Sequence, residues 1–123
     1  KLTGGFQAAV DFMTHLPGSP LIGAAVAVSV IAGLTGSASG GQSIALPLLA
    51  PFYLGQGVNP DALHRVVSIS SGALDSLPHN GYVVTTIRSI CRESYAAAYP
   101  GVAAMTVIIP ALGAALAVVL FSF

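Results

Sequence analysis

From Phe12 to Pro60 the chain carries no Asp, Glu, Lys or Arg, and from Ser94 to Phe123 it again carries none. A charge-free apolar run of about 20 residues is enough for one membrane-spanning helix. A soluble chain of this size could not hide so much uncharged surface in one small core. Only 7% of the 123 residues are charged, against about 25% in an ordinary soluble domain. The expected class is therefore an all-α integral membrane protein. Basic and acidic residues balance at four each, which leaves no basic face for nucleic acid and no polybasic patch for a lipid surface. Cys91 stands alone; it excludes an internal disulfide, implies no metal cluster and reads as an incidental small residue. The chain opens Lys1-Leu2-Thr3, without Met and without a charged region leading into an apolar one, so no secretory signal is visible. It is expected to be a fragment of a longer protein.

Punctuation divides the chain into five segments. Residues 1–19 read as a helix end, Phe6 to Thr14, and a Pro/Gly/Ser loop. Residues 20–57 read as a helical hairpin: Leu21 to Thr35 is apolar and rich in small residues, helix propensity collapses over Gly36-Ser37-Ala38-Ser39-Gly40-Gly41, and Gln42 to Leu54 is apolar again. Arms of roughly 20 Å fall short of the hydrocarbon core of about 30 Å, which points to a re-entrant hairpin. The alternative is two ordinary spans joined by a tight loop. Residues 58–90 read as a discontinuous transmembrane helix. Asn59-Pro60-Asp61 is its start, with Asn as N-cap and Pro at the first helical position. Asp61, His64 and Arg65 read as solvated residues at the membrane border, Asp61 and Arg65 being spaced to pair. Between Val66 and Ile87 the only acidic or basic residues are Asp75 and His79, and Pro78 with Gly81 should unwind the span at half depth. Residues 91–99 form a loop which, with Arg88 and Arg92, is assigned to the cytoplasm by the positive-inside rule. Residues 100–123 are the last transmembrane helix, starting as early as Tyr95, with Pro110 and Gly113 as bend points; the C-terminus then lies outside the cytoplasm.

The two interruptions carry the chemistry. A broken helix in lipid leaves N–H and C=O groups unpaired at several kcal/mol each. Carriers use such breaks to aim helix N-termini at an anionic substrate and free carbonyls at a coupling ion. Ser37, Ser39, Gly40 and Gly41 at the hairpin tip offer hydroxyls and backbone N–H groups to a carboxylate; the plain alternative is that they pack helices. An ionisable residue inside the membrane is by default a functional candidate, so Asp75 is the expected proton carrier and His79 its companion. Asn80 and Gly81 complete the substrate set, Asn80 because its amide both donates and accepts. Against these stand Asp75 as a helix cap or the partner of a distant arginine, and His79 as a hydrogen-bonded core residue. No catalytic residue, metal or cofactor is expected beyond the coupling proton.

These residues also carry a resemblance. Gly36-Ser37-Ala38-Ser39-Gly40-Gly41, Ile44-Ala45-Leu46, Leu63-His64-Arg65, Ser71 to Gly81 with its Leu-Pro-His-Asn-Gly run, and Arg92-Glu93-Ser94-Tyr95 follow in the order seen in gluconate permeases. The likeness extends from about Leu21 to Tyr95. It implies proton symport of gluconate, other sugar acids, short hydroxy acids or D-serine. It further implies the second of two inverted repeats of an ion-transporter-type fold, and a multi-pass protein of the bacterial inner membrane, often dimeric. Two departures limit it. Pro47 stands in the second arm, where the family has a longer unbroken helix, and the first repeat's half of the site is absent.

Two other functions use the same residue types. An intramembrane serine hydrolase would need a serine beside His79 and Asp75, but no Gly-x-Ser-x-Gly elbow is present. A channel with a re-entrant filter loop would lack saturable, proton-driven accumulation.

Overall fold

The computed structural model describes residues 4–122. Residues 1–3 and 123, the outer ends of the first and last sequence-defined segments, lie outside the described residues. All described elements are helical, with no strand among the described residues. α1 (Gly4–Thr14) leads through a loop into α2 (Pro20–Thr35). Ser19 caps α2 by accepting the Leu21 N–H, and Pro20 occupies the first turn, where its missing donor costs nothing. The helix closes on Gly36, whose φ of 62° is the left-handed conformation that glycine adopts without strain.

α3 (Ala38–Gly55) starts two residues later, with Ser37 as its N-cap. The sequence reading began this arm at Gln42. The earlier start puts Gly40 and Gly41 inside the helix, at a propensity cost of about 1 kcal/mol each. Packing explains the choice at Gly41: a Cβ there would stand 2.6 Å from Ala32 Cα and 2.8 Å from Ala32 Cβ. Only glycine lets the two arms approach so closely. The helix also runs on through Pro47 and Pro51, which lie one turn apart on its exposed face. With 16 and 18 residues, the arms measure about 24 and 27 Å.

α2 is the centre of the assembly. Ten of its 16 residues are buried, which its uniformly apolar, small-residue surface permits. Leu21, Val28 and Ile31 pack with Leu49 and Tyr53 of α3 and with Leu63, Val66 and Val67 of α4 (Pro60–Ser70). Asn59 caps α4, its Oδ1 accepting from the N–H groups of Asp61 and Ala62. Arg65 does not ion-pair with Asp61 among the described residues; its guanidinium lies 5.5 Å from the centroid of the Phe121 ring.

After Ser70 the chain is non-helical through Asn80. The interruption therefore starts well before the Pro78–Gly81 stretch to which the sequence points. Helix resumes as α5 (Gly81–Thr85), widens into a π turn over Thr86–Ile90 and ends there with Cys91 as C-cap; Arg92 beyond it takes a left-handed φ of 56°. The final helix comprises α6 (Tyr95–Ala103), a π turn at Ala104–Ile108 and α7 (Ile109–Phe121). The wider turn just upstream of Pro110 accommodates a ring that a regular turn would drive into the Thr106 carbonyl. The irregularity thus precedes Pro110 and Gly113 instead of falling on them. Over its 27 residues, Tyr95–Phe121 is long and apolar enough to cross a membrane.

Two hydrogen bonds orient this last helix. Tyr99 near its start bonds Ser76 of the interruption, and Ser122 at its end bonds the Ser19 cap at the start of α2. It therefore runs antiparallel to α2. The interruption reaches the head of this helix through Ser76 and Pro78, which bond Tyr99 and Tyr95, while Leu74 lies near Ala111, close to the helix midpoint.

Candidate functional site

The two interruptions meet. The C-terminal carbonyls of α2, which no helical N–H can satisfy, are bonded by side chains of the unwound segment. His79 Nε2 lies 2.8 Å from Gly33 O, so that nitrogen carries a proton and donates it. Asn80 Nδ2 donates to Gly36 O at 2.8 Å and to Asp75 O at 2.6 Å. Asn80 Oδ1 meanwhile accepts from Val83 N–H, which makes it the N-cap of α5. One buried amide thus ties the hairpin turn, the unwound segment and the next helix together. Gly33 allows the contact: a Cβ there would stand 3.1 Å from Leu74 Cβ.

At the hairpin turn, Ser37 Oγ accepts from Gly40 N–H, and Gly41 N–H bonds Ser37 O. Both glycine donors named from the sequence are thereby used within α3. The N–H groups of Ala38 and Ser39 remain as the unpaired donors of the first turn. The Ser39 hydroxyl, 3.3 Å from that of Ser37, belongs to an exposed residue. Because Ser37 caps α3, Asn80 caps α5 and Gly36 O bonds Asn80 Nδ2, the N-termini of α3 and α5 begin within one residue of a shared hydrogen bond. Each N-terminus carries partial positive charge. Gly81 is exposed, with nothing within 4 Å of where a Cβ would be.

The unwound segment is held residue by residue. Ser29 Oγ donates to Ser70 O at 2.8 Å. Gln42 Nε2 donates to Ser71 Oγ at 2.7 Å, and that hydroxyl donates on to Ser68 O. Tyr99 OH donates to Ser76 O at 3.0 Å and Tyr95 OH to Pro78 O at 2.8 Å. Asp75 is half-buried and its Oδ1 accepts from Ser76 Oγ. It caps no helix; Asn80 does that. His79 is exposed and bonded, so it is not a core residue in this segment. A Ser-His-Asp relay requires a serine on the histidine, whereas His79 Nε2 is on Gly33 O and Ser76 is on Asp75.

Gln42, Tyr95 and Tyr99 were missing from the sequence-derived site. Each acts across a turn or helix boundary, and only the clustering of tyrosines at the head of an apolar span could have drawn attention to two of them. Among the described residues no three His, Cys, Asp or Glu side chains gather into a metal site. A separate crevice of about 450 Å³ between α2 and α7, bordered by Ala25, Ser29, Leu74 and Ala114, offers a single hydroxyl. A carboxylate buried there would lack partners.

The hairpin turn and the unwound, carboxylate-bearing segment thus meet on an all-helical scaffold that includes one helix long and apolar enough to cross a membrane. The chain is similar to a protein of Bacillus subtilis (strain 168) named as an uncharacterized transporter, YxjC. The two are 37% identical over 108 residues, covering 85% of this chain and 23% of the relative. The chain thus spans less than a quarter of that relative's length. No protein-family profile matches it, and no solved structure does. The likeness supports a transport function, and with the apolar Tyr95–Phe121 helix it points to a membrane location.

Proposed function

We propose that this chain is the substrate- and proton-binding part of a secondary carrier of the gluconate-permease type. It takes up gluconate or a related small hydroxy-carboxylate together with a proton across the bacterial inner membrane. The observation that carries the reading is the hydrogen bond joining the hairpin turn to the α5 cap, because it brings two positive helix ends to one place. The substrate carboxylate binds the Ala38 and Ser39 N–H groups and the Ser39 hydroxyl, with the Gly81 end of α5 on the other side. Ser37, Gly40 and Gly41 shape that turn, and Asn80 holds it to the unwound segment. Asp75 takes up the coupling proton, since an ionised carboxylate away from water is costly, and His79 lies four residues on. In this reading residues 20–57 are a re-entrant hairpin and residues 58–90 a discontinuous transmembrane helix. They belong to the second of two inverted repeats, in a multi-pass, dimeric protein with Arg88 and Arg92 in the cytoplasm.

The test is a panel of radiolabelled sugar acids and short hydroxy acids in proteoliposomes containing the complete protein, with and without an inward proton gradient. Saturable accumulation that needs the gradient is expected for at least one of them. Uptake that never exceeds equilibration under any gradient sinks the proposal.

A further inference from the structure

The unwound segment is gripped from two sides, and the carrier reading accounts for only the hairpin side. On the other side stand Tyr95 and Tyr99, in the first two turns of the terminal helix. Their hydroxyls reach Pro78 O and Ser76 O. The two hydroxyls lie four residues apart, about 6 Å along the helix, and take carbonyls two residues apart in the turns of the unwound segment. The rings stack at 5.1 Å between centroids and 13° between planes, so neither turns without the other. The Arg88 guanidinium, 5.9 Å from the Tyr95 centroid, adds a third contact. The two bonded carbonyls are those just after Asp75 and just before His79.

We infer that Tyr95 and Tyr99 are positioning residues, which fix the backbone on which Asp75 and His79 are carried and so keep proton uptake in step with substrate movement. This rests on the carrier reading. Removing the hydroxyls frees two carbonyls of the Asp75–His79 stretch while leaving the Ser37–Ser39 turn intact. Substrate exchange then survives while its coupling to the proton gradient is lost. A tyrosine that merely anchors the helix at a membrane surface would affect both activities in proportion to the amount of folded protein.

The test uses the complete protein and its Tyr95→Phe/Tyr99→Phe double variant. Tyr82→Phe serves as a control, because Tyr82 is 80% exposed. Two quantities are measured. The first is hydrogen exchange at the Asn80 backbone amide, which donates to Leu77 O within the held stretch, in lipid nanodiscs. Exchange there should rise about tenfold in the double variant for the two lost hydrogen bonds, and stay unchanged in the control. The second is the ratio of gradient-driven gluconate accumulation to gluconate counterflow in the same proteoliposomes. That ratio should fall about tenfold in the double variant, with the counterflow KM unaltered. Unchanged exchange at Asn80 overturns the inference, as does faster exchange with an unchanged ratio or a parallel loss of both activities. If the unsubstituted protein moves no gluconate at all, the carrier reading with this substrate fails. The exchange measurement then decides by itself whether the tyrosines hold the segment.

Discussion

Asn59→Asp and Asn80→Asp are the same exchange at two helix caps, yet the structure assigns them very different consequences. Asn59 uses only Oδ1, which accepts from Asp61 and Ala62 N–H groups on an exposed surface. A carboxylate does that as well, and its charge at a helix N-terminus is worth about 0.3–1 kcal/mol. Asn80 uses both ends of its amide. Its Oδ1 accepts from Val83, and an aspartate keeps that bond. Its Nδ2 donates to Gly36 O and Asp75 O, and an aspartate would set an anionic oxygen against both. Two acceptors left unsatisfied cost about 1–3 kcal/mol each; subtracting the cap gain leaves a net loss of about 2–5 kcal/mol. The assay is unfolding of the complete protein in detergent, with both variants followed side by side. Asn80→Asp should lower the midpoint clearly and Asn59→Asp should leave it level or raise it. Equal effects of the two substitutions would refute the claim that Asn80 joins the hairpin to the unwound segment.

Five further outcomes are expected. Asp75→Asn should abolish gradient-driven accumulation while the protein still inserts; a variant that still concentrates substrate removes Asp75 from proton coupling. Gly41→Ala should destabilise by about 1–3 kcal/mol, because the backbone of Ala32 cannot move aside for the new Cβ. Gly81→Ala meets open space and should fold normally, so a raised KM in that variant would reflect the site alone. Ser39→Ala and His79→Gln should each weaken substrate binding, and unchanged affinity in equilibrium binding would take both out of the pocket. Arg92→Gly should stabilise by about 1 kcal/mol, since Arg92 holds a left-handed φ of 56°. Thermal unfolding reads that gain.

What the sequence made legible and what it hid differ by the range of the interactions involved. Asn59-Pro60 and Ser19-Pro20 act on backbone groups two or three residues away, so the starts of α4 and α2 are visible locally. Gly40 and Gly41 looked like helix breakers because propensity is a local quantity. Their actual setting is α2, where only a glycine fits against Ala32, and packing outweighs about 1 kcal/mol of propensity. The interruption was placed at Pro78 because proline is a local signal, yet unwinding starts at Ser71. The groups that hold Ser70, Ser71 and Ser76 there are Ser29, Gln42 and Tyr99, all distant in sequence.

Depth in the membrane is likewise not a local quantity. Counting residues from Val66 to Ile87 converts to depth only if each residue rises like a helical one, and residues 71–80 do not. Along the terminal helix the unwound segment runs from Leu74, near Ala111, to Ser76 and Pro78, which bond Tyr99 and Tyr95. If that helix spans the bilayer, as its length allows, the segment extends from mid-depth toward one face. Depth-dependent quenching of a spin label at Ser39→Cys in the complete protein would place the turn directly. A label in the headgroup region would refute a mid-depth site.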